Sequence, residues 1–551
     1  MRDWSFSMTS ISMTVRRAAL AAGCVALAGC MDITVQNNNN PDRIRATDTP
    51  GDVQGLISGT FQRWWPNVYS TTPTVMFGSM GYEFATPFLC FAGQPMEQEP
   101  RPAWNNSSAF TNANVSRDTW RNFYGVISLA NDGLQALNRG VHIGALIVST
   151  DKKDTIGADD TRARVFAKLM QGVAHGYLAL MFDKAVILDE RANVDTLVTP
   201  TYAPYPEVMT AAISMIKAAI AMADTSTFTL PTDGWIPGLP YTSKDLARLG
   251  HTFIARFETY VARSATERAA VNWADVMAQV DAGITADFAP IGSPTGISDS
   301  YKQVAARVRA VPGDYMRGGY WLVGPSDSTD GWKNWVATPV ANRVAFTMRT
   351  QDRRIHGAGG PTTAGAYFNY STNIAFFNPT RGTYLQTFYY YTRYGAGTTY
   401  NNGPLVAIGR TEMDLLKAEA LVRLNRAAEA IPLINKTRVA NGKLPAIDIN
   451  GPPDVAGCVP RKTTGACGGL WDALRYEKRI EGAGVDGQVA YWDARGWNTL
   501  AKNSFIQFPL PALELEIQRQ PIYTYGGGGA GSAPDPTWDK CPASVNLARC
   551  S

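Results

Sequence analysis

Residues 411–439 read TEMDLLKAEALVRLNRAAEAIPLINKTRV, and this stretch decides the fold. Met413, Leu416, Ala420 and Leu424 recur at intervals of three and four, which places them on one face of a helix over Thr411 to Leu424. A second helical run, Arg426 to Val439, follows with only Asn425 between them. Helices this close fold back on each other, so the spacing predicts an antiparallel hairpin of the tetratricopeptide kind.

The same texture recurs upstream. Val165, Leu169, Val173 and Tyr177 form one four-residue row and Phe166, Met170, Ala174 and Leu178 the next, an apolar face wide enough to pack on two neighbours. Further helices are expected over Pro50 to Trp64, Ser116 to Leu137, Tyr205 to Ala223, Ser243 to Arg263 and Asn272 to Ile284. Pro50 suits a first helical turn, and Asn272 with Asp275 three residues on resembles a capping arrangement. Paired, these runs give about four hairpins: an all-α, tetratricopeptide-like superhelix. Between 287 and 409 the chain turns rich in Gly, Asn, Thr and aromatics, which predicts long loops with a few short strands, Tyr389 to Tyr391 among them. Loops carried on a rigid frame are where binding groups concentrate.

Composition narrows the class. The 551 residues are 45% hydrophobic and 18% charged, which excludes a disordered chain, a coiled coil and a collagen-like repeat. Basic and acidic residues number 51 and 47, with no basic stripe, so nothing calls for a nucleic-acid partner. Four histidines, His142, His175, His251 and His356, lie too far apart for metal-ligand spacing, and no metal or cofactor motif is present. His175 and His251 fall within helical patterns and read as packing residues.

The N-terminal segment reads as an export signal. Arg16 and Arg17 precede the apolar run Ala18 to Ala28, too short to span a bilayer but of signal-core length. It ends in Leu27-Ala28-Gly29-Cys30, which resembles the lipobox of bacterial lipoproteins, where the cysteine thiol receives diacylglycerol. The expectation is a signal peptide over 1–29, lipidation at Cys30 and a polar tether over 30–48; acyl chains would anchor the protein without a span. Met13 can serve as the start. The later apolar stretch Ala211 to Ala223 is broken by Lys217 and fits a packed helix. In an oxidising compartment Cys458 with Cys467, and Cys541 with Cys550, read as local disulfides, leaving Cys90 unpaired and buried. Zinc is the other reading of these pairs, but no C-x-x-C and no nearby histidine accompany either.

Several motifs then occur in one order. Trp120-x-x-Phe123-Tyr124-x-x-Ile127-x-x-x-Asn131 and the helix from Phe166 to Ile187 come first, and the hairpin from Arg410 to Arg438 follows. Tyr476-Glu477-Lys478-Arg479-Ile480-Glu481, Tyr491-Trp492-Asp493-x-Arg495-Gly496-Trp497 and Phe508-Pro509-Leu510-Pro511-x-x-x-Leu515 close the set. In this order and spacing the chain resembles the SusD/RagB family of outer-membrane nutrient-uptake lipoproteins. The resemblance implies a scaffold of four tetratricopeptide-like hairpins with a variable overlay. It also implies a non-catalytic, palmitate-bearing protein on the cell exterior that captures oligosaccharides or peptides for a TonB-dependent, SusC-like transporter. One departure is Asp486-Gly487-Gln488-Val489, where the family carries an arginine; Arg495 or Arg479 would have to brace the motif instead. The expected organisation is a helical repeat region over 49–286, a ligand-binding overlay over 287–409, the final hairpin and motifs over 410–525, and a tail over 526–551.

Glu477, Glu481 and Asp493 are the carboxylates in the strongest motif. A glycosidase would use such a pair across a cleft. The favoured reading is a buried charge network with Arg475, Arg479 and Arg495, which makes Glu477, Arg479, Glu481, Trp492, Asp493 and Arg495 structural. Gly526 to Gly531 fits G-x-G-x-x-G in form, but Pro534 and Pro536 follow instead of a helix, so it reads as a flexible linker. Candidate ligand-binding residues are Trp104, Asn105 and Asn106, then Tyr320, Trp321, Trp332 and Trp335 in the overlay. Two other classes stand beside ligand capture: an interaction scaffold whose hairpin grooves hold a protein, and an exported carboxylate-dependent glycoside hydrolase.

Overall fold

The structure, a computed structural model, describes residues 47–87, 89–148, 155–192, 200–306, 315–374, 376–377, 384–394 and 401–550. The signal segment 1–29, Cys30 and nearly all of the tether lie outside the described residues, as does the side chain of Cys90. Every element below belongs to the unit that begins at Thr49.

Helix α1 spans Pro50–Trp64; Thr49 caps it by accepting from the Asp52 amide at 3.2 Å, and Pro50 occupies the first turn. Helices α2 (Asn114–Asn138), α3 (Asp160–Met181), α4 (Tyr205–Asp224) and α5 (Ser243–Tyr260) follow. Thr242 and Asp245 form a reciprocal capping box at the start of α5. Helix α6 (Trp273–Ala282) begins where the Asn272 side chain accepts from the Asp275 amide at 3.3 Å. Helices α7 (Arg410–Arg423) and α8 (Ala427–Ala440) form the hairpin expected there; Asn425 between them takes φ 59°, a left-handed conformation that asparagine tolerates. Helices α9 (Leu470–Gly482) and α10 (Gly487–Gly496) carry the C-terminal motifs.

Each helix from α1 to α8 packs on its sequence neighbour, giving four hairpins in a continuous row. Residues 287–409 are inserted between α6 and α7, yet those two helices pack directly, so the overlay leaves the superhelix uninterrupted. The predicted wide face of α3 is real: α3 packs on both α2 and α4 and also touches α1 and α5. Its glycines permit that approach. A Cβ at Gly172 would lie 2.6 Å from the Ile216 side chain on α4, and one at Gly176 would lie 2.1 Å from the Phe257 ring on α5. Helix α4 is long and apolar enough to cross a membrane by length and composition, but it packs between α3 and α5.

The overlay has more order than a set of loops. It holds short helices Ser300–Ala306, Tyr320–Val323 and Gly331–Ala337 and contributes to antiparallel pairs such as Phe368–Tyr370 with Tyr389–Tyr391. A second core, built from Tyr320, Trp321, Trp332, Trp335, Met348, Ile355, Phe368 and Tyr389 of the overlay, joins it to Tyr82 and Phe84 near the N-terminal repeats and to Tyr476 and Ile480 of α9. A third cluster joins Leu415, Leu421 and Ile434 of the last hairpin to Trp471 and Trp497.

The tail corrects the linker reading. Gly526 pairs with Ala103 and Ser532 with Phe505 as antiparallel bridges, and the Gly527 amide donates to Asn503 O at 2.8 Å. Gly526, Gly527, Gly528 and Gly531 all have φ between 62° and 87°, so these glycines serve tight turns pinned to the body. Disulfides join Cys458 to Cys467 and Cys541 to Cys550.

Candidate ligand cleft

Where the overlay, α9 and the tail meet lies a narrow cleft of about 50 Å³, a slot smaller than the roughly 300–1,000 Å³ of sites that enclose a small ligand. The helix Tyr320–Val323 and the helix Gly331–Ala337 supply Trp321 and Trp332, α9 supplies Asp472, Arg475, Tyr476 and Arg479, and the tail supplies Trp538. The Trp538 and Trp321 rings stack with centroids 4.1 Å apart and planes 14° from parallel. Trp332 meets Trp321 edge-on at 6.1 Å. The Arg479 guanidinium lies 5.5 Å from the Trp538 ring centre.

The cleft is held by main-chain bonds as well as rings. Arg479 donates to Trp321 O at 3.0 Å, to Gly81 O at 3.0 Å and to Tyr82 O at 3.1 Å, tying α9 to the overlay and to the first repeat. Burial, with the charge of nearby Arg475 adding to it, presses the Arg479 pKa down to about 10. The Tyr476 hydroxyl is engaged by Asp352 at 2.7 Å.

The sequence candidates fall in different places. Trp321 and Trp332 line the cleft but are only 7% and 4% exposed, so little of either ring is open to a ligand. Tyr320 and Trp335, expected to be platform residues, are core: Tyr320 is fully buried and donates to Phe346 O at 2.8 Å, while Trp335 lies against Tyr320 and under Arg343. Trp104 is likewise core at 1% exposure, edge-on to Phe110 and Phe508. Asn106 is a strut, donating to Leu510 O at 2.9 Å and Tyr523 O at 3.0 Å. Asn105 is exposed and lines a second, polar groove with Ser107, Ser108, Arg117 and Glu516 at the start of α2. Sequence reading missed Trp538, the half-buried ring of the cleft. The signal was a lone tryptophan three residues before a cysteine-closed loop.

The charge network exists with different arginines. Arg354, from the overlay, is bidentate to Glu477 at 2.6 and 3.0 Å and reaches Glu481 at 2.9 Å. Asp493 takes Arg268 at 2.9 Å and Lys478 at 2.8 Å, and Arg268 also pairs with Glu419. Of the three arginines expected there, Arg475 pairs instead with Asp472, and Arg479 and Arg495 donate to carbonyls. Arg495 braces the motif by bonding Leu180 O, Ile506 O and Tyr260 O. Trp492 is 1% exposed, and Glu477, Glu481 and Asp493 are no more than 4% exposed, each within hydrogen-bonding reach of a cation. That arrangement fastens segments together. Among the described residues no group of three or more His, Cys, Asp or Glu could hold a metal. His175 is buried, accepts from the Leu188 amide at 3.1 Å, and burial presses its pKa down to about 4.

No protein-family model and no curated protein matches the chain. Solved structures do. A SusD superfamily protein from Bacteroides thetaiotaomicron VPI-5482 superposes with a TM-score of 0.55 at 13% identity, covering 87% of this chain and 99% of that one. The fold is that of the SusD superfamily. A SusD superfamily protein from Bacteroides vulgatus ATCC 8482 gives 0.54 at 14% identity, covering 88% of this chain and all of the other. A SusD-like protein from Bacteroides fragilis NCTC 9343 gives 0.52 at 12% identity, covering 87% and 97%. The cleft lies where α9 faces the overlay.

Proposed function

We propose that this chain is a non-catalytic capture protein, anchored to the outer membrane through lipid on Cys30 and facing the exterior. In this reading it binds oligosaccharides, with peptides as the second ligand class, and passes them to a TonB-dependent, SusC-like transporter. The observation that carries the reading is the cleft of Trp538, Trp321 and Arg479 set on a SusD-type frame.

The energetics agree with a cleft that combines rings and polar groups. If a ring covers about 50 Å² of a sugar, burial contributes about 1 kcal/mol. Three rings then fall short of the roughly 4.1 kcal/mol that corresponds to 1 mM. Hydrogen bonds must supply the remainder, and the arginines beside the rings are suited to it.

Isolating the chain from detergent-solubilised outer membranes tests the delivery step. Co-isolation of a TonB-dependent transporter, and loss of oligosaccharide uptake when the gene is deleted, are expected. A chain that purifies alone, and whose deletion leaves uptake intact, would contradict the proposal.

A further inference from the structure

Between α2 and α3 the chain makes a hairpin that stands away from the body. Its strands, Leu146–Val148 and Thr155–Gly157, pair antiparallel, with Ile147 opposite Ile156, Leu146 opposite Gly157 and Val148 opposite Thr155. Leu146, Ile147, Val148 and Ile156 are between 51% and 63% exposed. Residues directly opposite share a face, so Ile147 and Ile156 lie on one side of the ribbon and Leu146 and Val148 on the other. A ribbon built to dock on protein keeps one apolar face and one wet face. This one is apolar on both, which matches an apolar medium that surrounds it.

The hairpin is held firmly at its base. Asp160 accepts from the Ile143 amide at 2.7 Å and from the Gly157 amide at 2.8 Å, with His142 Nδ1 at 2.7 Å, and the Asp159 amide donates to Ile143 O at 3.0 Å. Its place in the fold is also informative. Gly133 of α2 packs on Ile57 of α1 and Gly125 on Arg63, so the two helices run antiparallel and Pro50 lies level with the end of α2. The hairpin therefore springs from the end of the repeats at which residues 30–48 join α1. Those 19 residues span at most roughly 65 Å from Cys30. Arg139 and Arg164 stand at the same end, Arg164 donating to Asn138 Oδ1 at 2.6 Å, while Asp159 is paired with Arg162 and Asp160 is committed to the hairpin base.

Resting on the lipid anchor at Cys30, we propose that Leu146, Ile147, Val148 and Ile156 enter the lipid surface beside that anchor, a second membrane contact that orients the repeats. A two-stranded ribbon has unpaired edges that hydrocarbon cannot satisfy, so it lies at the interface, where water and headgroups meet its main chain and lipid phosphates meet Arg139 and Arg164. Four side chains give weak, reversible binding, and stable attachment still needs the acyl chains. Cys30 continues to decide whether the protein stays with the membrane through washing.

The test uses the mature chain, residues 30–551, made without lipid as Cys30→Ser, so its outcome does not depend on acylation. Its partition onto vesicles of equimolar phosphatidylethanolamine and phosphatidylglycerol is measured by flotation beside the fourfold variant Leu146→Ser, Ile147→Ser, Val148→Ser and Ile156→Ser. The parent should float with the vesicles, and the variant's partition should fall at least tenfold with its melting midpoint unchanged. Should the fourfold variant fail to fold, Ile147→Ser with Ile156→Ser clears one face and should still lower the partition several-fold. Equal partition of parent and variant, or no partition of the parent, overturns this inference and leaves the Cys30 anchor standing; acylation is read separately, from the mass of the chain isolated from membranes. Unchanged vesicle partition with loss of transporter co-isolation in the variant overturns it in favour of a protein contact.

Discussion

The indole of Trp538 lies on the indole of Trp321, ring centres 4.1 Å apart and planes 14° from parallel, so a residue 13 positions from the C-terminus forms one wall of a cleft built by the overlay. Trp538→Ala should weaken saccharide binding by tenfold or more. It should also cost stability: about 0.5–1.5 kcal/mol for the ring pair with Trp321, on top of the apolar burial lost against Tyr82. Binding titration beside a chemical-denaturation curve separates the two; a large loss of stability with binding intact would make Trp538 a packing residue only.

The tail that carries Trp538 is closed by Cys541–Cys550. Closing so short a loop restricts the unfolded tail by roughly 2–3 kcal/mol in the chain-entropy account. Cys541→Ser with Cys550→Ser should therefore make residues 526–551 the first site of limited proteolysis, with ligand affinity falling and the helical repeats still folded by circular dichroism. A tail that resists protease as before would show that the bridges at Gly526 and Ser532 suffice to hold it.

Arg268 is fully buried between Glu419 and Asp493. Arg268→Met leaves two buried carboxylates with less cation than they need, a change that costs about 3–5 kcal/mol. The denaturation midpoint should drop sharply. Arg426→Met removes a solvent-exposed pair with Glu429 and should leave the midpoint where it was.

Glu83 is buried, and desolvation pushes its pKa up to about 7, against the opposing bonds from the Gly484 amide at 2.9 Å and the Tyr301 hydroxyl at 2.8 Å. A folded pKa above the unfolded value means the native state holds the proton more tightly. The stability linked to Glu83 is thus fully present below about pH 4.5 and is lost as pH rises through about 7. The difference is at most about 3 kcal/mol. Glu83→Gln should flatten the stability profile over that window, measured by denaturation at a series of pH values; an unchanged slope would show that Glu83 ionises normally.

Cys30→Ala should move the protein from the membrane fraction to the soluble one. Persistent membrane retention would contradict lipidation at that cysteine.

The helical frame was readable because helix period is a local property: the rows on α3 and the α7–α8 turn at Asn425 need only adjacent residues to be recognised. The cleft was not readable for a different reason. Trp104, Tyr320 and Trp335 have the composition of a sugar platform, but whether a ring faces water depends on residues far away, such as Phe508 for Trp104 and Phe346 for Tyr320. Likewise Gly526 to Gly531 has the composition of a linker. The same positive-φ freedom that makes glycine flexible lets this run turn tightly against Ala103 and Asn503 and bring Trp538 into place. The partners of Glu477 and Asp493 were missed for the same cause, because Arg354 and Arg268 lie 123 and 225 positions away in sequence.

The central claim is capture without cleavage. Its most direct test is to equilibrate the whole chain with an acidic and a neutral oligosaccharide panel, measure binding, and then size the recovered sugars by chromatography. The account predicts a bound oligosaccharide returned at its original length, with affinity lost in Trp538→Ala. Shortened products, or a chain that binds no saccharide at all, would contradict it.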